Sequence, residues 1–93
     1  MNFEEILKSE NTTIVDVRTH EEFRGGNVVG SINIPVNEIP NRLEEFKQMK
    51  KPIVLCCASG GRSGQAHMYL SQQGIQETYN AGSWLDVNHY KNA

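Results

Sequence analysis

Cys57 closes an apolar run and opens a glycine-rich loop, in Lys51-Pro52-Ile53-Val54-Leu55-Cys56-Cys57-Ala58-Ser59-Gly60-Gly61-Arg62-Ser63-Gly64. A thiol in that position faces successive backbone N–H groups and the start of a helix. Both favour negative charge and lower a thiol pKa. The residue type is often an inert core filler, but the strand-to-helix turn makes Cys57 the candidate nucleophile. Gly60 and Gly61 let the backbone curl so that N–H groups from Ala58 to Ser63 converge on the sulfur. Arg62 adds a fixed cation suited to sulfonate-like oxygens. Ser63 or Ser59 can donate a hydroxyl hydrogen bond to sulfur or substrate, although for Ser63 a helix cap is the expectation. Cys56 differs: side chains alternate along a strand, so it points away from the loop into the packing. A disulfide between adjacent cysteines needs strained geometry, so redox chemistry by the pair is a minor alternative.

The elements that position this loop follow from hydrophobic spacing. Phe3, Ile6 and Leu7 recur at helical intervals in residues 1–10, predicting a short amphipathic helix stopped by Asn11. Residues 12–17 are β-branched and apolar, as in a buried parallel strand, and place Asp16 and Arg18 at its carboxyl end. Thr19 with Glu22 forms a capping-box pattern opening a helix through Phe23, ended by Gly25-Gly26. A strand at 31–34 is closed by Pro35. A helix follows over 37–49, with Ile39, Leu43 and Phe46 inward and Pro40 in its first turn. Residues 53–57 form the most hydrophobic strand. Residues 62–73 form a helix with Ala66, Tyr69 and Leu70 inward, capped by Gly74. A last short strand near 77–79 leads to a terminal segment carrying Trp84, Leu85, Val87 and Tyr90. Strands alternating with helices predict an α/β parallel sheet, whose ligands bind beyond the carboxyl ends of the strands. Asp16 and Arg18 then lie near the loop. Asp16 braces the site and Arg18 binds anion, or the two form a structural ion pair.

The 93 residues are expected to fold as a single domain, 1–93. A net charge of -2 and a pI near 5.9 give no electrostatic footprint for nucleic acid. The apolar stretches are too short to span a bilayer, and the first residues lack a signal-peptide pattern, so the expectation is a cytoplasmic protein without membrane attachment. The only two cysteines are adjacent, which excludes a disulfide framework and gives poor support to a two-thiol metal clip. His20, His67 and His89 show no metal-ligand spacing. No metal or cofactor is expected, and with no apolar stripe standing out the chain is taken as a monomer.

Several separated motifs, in order, resemble those of single-domain rhodaneses, a sulfurtransferase family. They are Asp16-Val17-Arg18, Glu22-Phe23 with Gly26, Gly30, Asn33-Ile34-Pro35, Cys57 to Ser63, and Gly82 with Trp84. The resemblance implies a small five-stranded parallel sheet flanked by helices, with the catalytic cysteine first in the loop after the central strand. It also implies covalent chemistry. Cys57 takes a sulfane sulfur from a small donor such as thiosulfate, stores it as a persulfide, and passes it to cyanide, a thiol or a protein sulfur acceptor. Many members have Gly-His-Ile-Pro-Gly-Ala where this chain has Gly26-Asn27-Val28-Val29-Gly30-Ser31, so the usual histidine and proline are Asn27 and Val29. The family places Trp84 near the rim of the site, whereas its residue type favours the core.

Two other functions fit part of the pattern. Cysteine-dependent phosphatases also set a thiolate and an arginine around a backbone cradle. They need five residues between the two, however, and Cys57 and Arg62 enclose only Ala58-Ser59-Gly60-Gly61. A sulfur carrier that docks on a partner protein needs the same thiolate as a free-standing enzyme and differs only in its acceptor.

Overall fold

In the computed structural model, which describes residues 3–93, the chain order is α1 (Phe3–Lys8), β1 (Thr13–Asp16), α2 (His20–Arg24), β2 (Ile32–Asn33), a 3-10 helix (Val36–Arg42), α3 (Leu43–Gln48), β3 (Ile53–Cys57), α4 (Gly61–Gln72), β4 (Thr78–Ser83) and α5 (Trp84–Lys91). The predicted first helix begins at Phe3; Met1 and Asn2 lie outside the described residues.

The strands pair in the order β2-β1-β3-β4, and every pairing is parallel. The sheet therefore has four strands among the described residues, not the five implied by the resemblance. The sequence itself offers only four extended runs. The remaining segments are committed to helix by their apolar spacing or to turns by Pro and Gly.

Alternation along β3 decides which side each residue serves. Ile53, Leu55 and Cys57 join Val15, Val17, Ile34, Ile39, Phe46, Ala66 and Leu70 in the core under the 3-10 helix, α3 and α4. Val54 and Cys56 join Leu7, Ile14, Val28 and Val87 under α1 and α5. The helix expected over 37–49 divides into a 3-10 segment and α3. Pro40 sits inside the 3-10 segment. It has no N–H to donate and it disfavours an α conformation at Ile39, so an α-helix cannot run through this point.

Two backbone details set up the site. Gly74, at φ +83°, ends α4 as expected, with the Ile75 N–H donating to the Leu70 carbonyl at 3.0 Å. Strand β4 runs past the expected residue 79 to Ser83 because it carries a bulge. Leu55 pairs with Asn80, but Cys56 pairs with Gly82, so Ala81 is the extra residue. The bulge turns Asn80 and Gly82 toward the end of β3.

Candidate active site

Cys57 is the last residue of β3 and is 1 % exposed. Gly60, at φ +103°, occupies the position before α4 and caps it with no side chain. That left-handed conformation lets the chain double back, so that the Gly60 N–H donates to Cys57 Sγ at 3.0 Å. A side chain at Gly60 would also press on Gly82, since a Cβ there would meet the Gly82 Cα at 3.3 Å.

Ser63 is not a cap. It lies in the first turn of α4, fully buried, with Oγ 3.4 Å from Cys57 Sγ and 2.6 Å from Asn80 Oδ1. The tight turn at Gly60 brings this turn of helix over the sulfur and leaves Ser63 facing inward.

Burial alone would push the Cys57 thiol up. The Ser63 hydroxyl and the backbone N–H groups of Ser63, Gly60 and Ser59 outweigh burial and bring it down to about 7. The neighbouring Cys56 shows the opposite balance. On the far face of the strand, burial first and then the Asp16 charge push its thiol up to about 12. Two adjacent residues of one type thus differ in acidity because one faces a cradle of donors and the other an apolar layer. Ala58 and Ser59 complete the exposed side of the loop.

Asp16 and Arg18 form the ion pair that was one of the two sequence readings. Arg18 Nη2 lies 2.7 Å from Asp16 Oδ2, and the two side chains are 6 % and 0 % exposed respectively. Arg18 Nε and backbone N–H also donate to the same carboxylate. The remaining guanidinium donors reach the carbonyls of Gly26 and Glu22. The guanidinium lies over the Trp84 ring, 4.5 Å from its centroid. All three guanidinium nitrogens of Arg18 donate inside the protein, so the side chain braces the ends of β1 and α2. Trp84 belongs to this brace. It packs against the α1 and α5 side of the core and against Gly26, where a Cβ would meet its ring at 3.1 Å.

Arg62 is on α4 beside the loop, but its guanidinium holds Glu22 of α2 in a bidentate bridge at 2.6 and 3.1 Å. The Arg62 bridge, helped by the Thr19 backbone N–H, holds the Glu22 carboxyl down at about 2. Thr19 and Glu22 also form the expected capping box. The sequence pattern marked Glu22 as a cap but not as the partner of Arg62, which is forty residues away.

Asn80 was missed altogether. Its Oδ1 accepts from Ser63 Oγ and from the Gly82 N–H at 3.0 Å, and its Nδ2 donates to the Gly60 carbonyl at 3.2 Å. The available signal was an Asn followed by Ala-Gly inside an apparent strand, a pattern that favours a bulge. The substitutions at Asn27 and Val29 fall on the α2–β2 connection. Asn27 donates to the Phe23 carbonyl at 2.8 Å, and Val29 is exposed.

Among the described residues no group of three His, Cys, Asp or Glu side chains is placed to hold a metal ion, and no helix is long and apolar enough to cross a membrane. His20 bridges Asn33 and Glu38, and His67 contacts Thr78.

Known proteins resemble this chain in sequence and fold. The chain is 36% identical over 74 residues to the thiosulfate sulfurtransferase PspE of Escherichia coli (strain K12), covering 78% of this chain and 71% of that protein. It is 39% identical over 67 residues to the uncharacterized protein YqhL of Bacillus subtilis (strain 168), covering 72% of this chain and 52% of that one, so it spans about half the length of that relative. A solved structure described as a rhodanese with anions from E. coli superposes with a TM-score of 0.73 at 34% identity, covering 81% of this chain and 89% of that chain. The family model for the rhodanese-like domain matches residues 2–88, and the chain belongs to that family.

Proposed function

We propose that the protein is a sulfurtransferase that carries sulfane sulfur as a persulfide on Cys57. The observation that carries this reading is the donor cradle around the Cys57 sulfur. It holds an anionic sulfur at neutral pH, and a persulfide is a second anionic sulfur at the same place.

With thiosulfate as donor, the Cys57 thiolate attacks the outer sulfur and the S–S bond of the donor breaks. Sulfite leaves with the electron pair, and Cys57 retains an S–S⁻ group. Cyanide or a thiolate then attacks the outer sulfur of the persulfide. Thiocyanate or an acceptor persulfide leaves, and the Cys57 thiolate returns. No net oxidant or reductant is consumed.

In this reading the N–H groups of Ala58, Ser59, Gly60, Gly61, Arg62 and Ser63 form the donor site. Arg62 contributes its positive charge while tethered to Glu22. The Asp16–Arg18 pair supports the loop from β1. The donor and acceptor are small soluble molecules or a protein thiol, and the protein acts as a monomer in the cytoplasm.

The test is intact mass of the reduced wild type and of Cys57→Ser and Cys56→Ser after thiosulfate, followed by thiocyanate release on adding cyanide. One added sulfur in wild type and Cys56→Ser, absent in Cys57→Ser and discharged by cyanide, is expected. A Cys56→Ser variant as inert as Cys57→Ser would overturn the assignment of the nucleophile. Absence of any adduct would exclude thiosulfate as donor.

A further inference from the structure

The hydroxyl of Ser63 has one proton and two acceptors. Cys57 Sγ lies at 3.4 Å on one side and Asn80 Oδ1 at 2.6 Å on the other. The orientation of the Asn80 amide is fixed by its other partners. The Gly82 N–H needs an acceptor at Oδ1, and the Gly60 carbonyl needs a donor at Nδ2. Asn80 therefore always presents an oxygen to Ser63, and the hydroxyl divides its one proton between that oxygen and the sulfur, so that the bond to Cys57 is made only part of the time. The shorter contact is the one to Asn80.

We propose that Asn80 is a positioning residue that competes with the Cys57 sulfur for the single proton of Ser63, and so restrains the nucleophile in its resting state. This goes beyond the proposed reaction and rests on it only in taking Cys57 as the nucleophile. The bulge of β4 is what makes the competition possible. By displacing Ala81 it sets Asn80 against the first turn of α4, where even a Cβ at Gly64 would meet Asn80 Nδ2 at 3.3 Å.

The ionisable groups around the loop are otherwise engaged. Arg62 of α4 is bridged to Glu22 of α2, Arg18 is paired with Asp16 at the end of β1, and the Cys56 thiol lies on the opposite face of β3. The Ser63 proton is thus the free variable at the sulfur.

The competition predicts a direction that a bracing role does not. If Asn80 merely holds the loop, Asn80→Ala loosens the cradle and Cys57 becomes harder to ionise. If Asn80 competes, Asn80→Ala frees the Ser63 proton for the sulfur and Cys57 becomes easier to ionise, because a hydrogen bond to the charged form favours it.

The experiment is the pH profile of Cys57 alkylation by iodoacetamide in the full chain, with Cys56→Ser as background and thermal melts as the folding control. Asn80 is exposed, so its variants are expected to melt within a few degrees of the parent. For Asn80→Ala the midpoint should fall by about one pH unit, and alkylation at pH 5.5 should quicken about threefold after allowing for the weaker nucleophilicity of a more acidic thiol. In a Ser63→Ala background the same substitution should change nothing.

A slower Asn80→Ala, or an acceleration that survives Ser63→Ala, would overturn the proposal. Should Asn80→Ala fail to fold, Asn80→Asp answers the same question. Its stronger acceptor must slow alkylation, and less so when Ser63 is Ala; a slowing undiminished by Ser63→Ala refutes the competition. Alkylation needs no sulfur donor, so its outcome is independent of whether thiosulfate loads the protein.

Discussion

The sharpest consequence of the site is a contrast between two adjacent thiols. Cys57 at about 7 is half ionised at pH 7, whereas Cys56 at about 12 is ionised in roughly one molecule in 10⁵. A more basic thiolate is the better nucleophile, with rate rising by about 0.4–0.5 log units per pKa unit, so the five-unit gap returns roughly 10²–10^2.5 to Cys56. The net preference for Cys57 at pH 7 is therefore about 10^2.2- to 10^2.7-fold.

The assay is limited iodoacetamide labelling of the native reduced protein across pH 5 to 9, with the site located by fragment mass spectrometry and a urea-unfolded sample as reference. Labelling should fall on Cys57 with a midpoint near pH 7, while both cysteines label equally in urea. Comparable native labelling of Cys56, or a Cys57 midpoint near that of the unfolded chain, would refute the claim that the loop donors outweigh burial at the sulfur.

Arg18→Ala leaves the fully buried Asp16 carboxylate without its counter-charge, which costs about 3–5 kcal/mol. The melting temperature should drop by about 12 °C or more, and Arg18→Lys should recover little because a lysine cannot reproduce the forked contact or the stacking on Trp84. The Cys57 thiol ionises near 9 in the unfolded chain and near 7 in the folded one, so its contribution to stability is full above pH 9 and is lost as pH falls through 7. The advantage of wild type over Cys57→Ser in urea melts should grow by at most about 2–3 kcal/mol between those limits. Glu22→Gln weakens the bridge on Arg62 while keeping a capping side chain. The KM for thiosulfate should fall a few-fold with kcat little changed, whereas Arg62→Ala should raise KM; no change in either variant would remove Arg62 from donor binding. Gly60→Ala forces a Cβ into a left-handed turn that faces Gly82, so the Gly60 N–H should leave the sulfur and the Cys57 labelling midpoint should rise.

What the sequence revealed and what it hid divide along the range of the interactions. Strand β3 was legible to the residue because a run of five apolar residues ending in two cysteines has no competing helical period, and the opposite facing of Cys56 and Cys57 follows from pleating alone. The Thr19–Glu22 box and the Gly74 stop were legible because both ends of each interaction lie within a few residues. The strand count was wrong for the converse reason: five came from likeness to other chains, while the local pattern offered four.

The role of Ser63 depends on partners six and seventeen residues away. Local chemistry favoured a cap, and only the left-handed turn at Gly60 makes an inward-facing hydroxyl the outcome. The fate of Arg62 was hidden in the same way: it read as a free cation beside an anion site, yet it is matched by Glu22 on another helix, whereas the Asp16–Arg18 pair, two residues apart, was one of the two readings the sequence offered. With both guanidiniums committed, the charge at the sulfur is governed by hydrogen bonds from the loop backbone and from one serine. That is why a neutral side chain such as Asn80, carrying no charge and no reactive atom, is positioned to tune a thiolate.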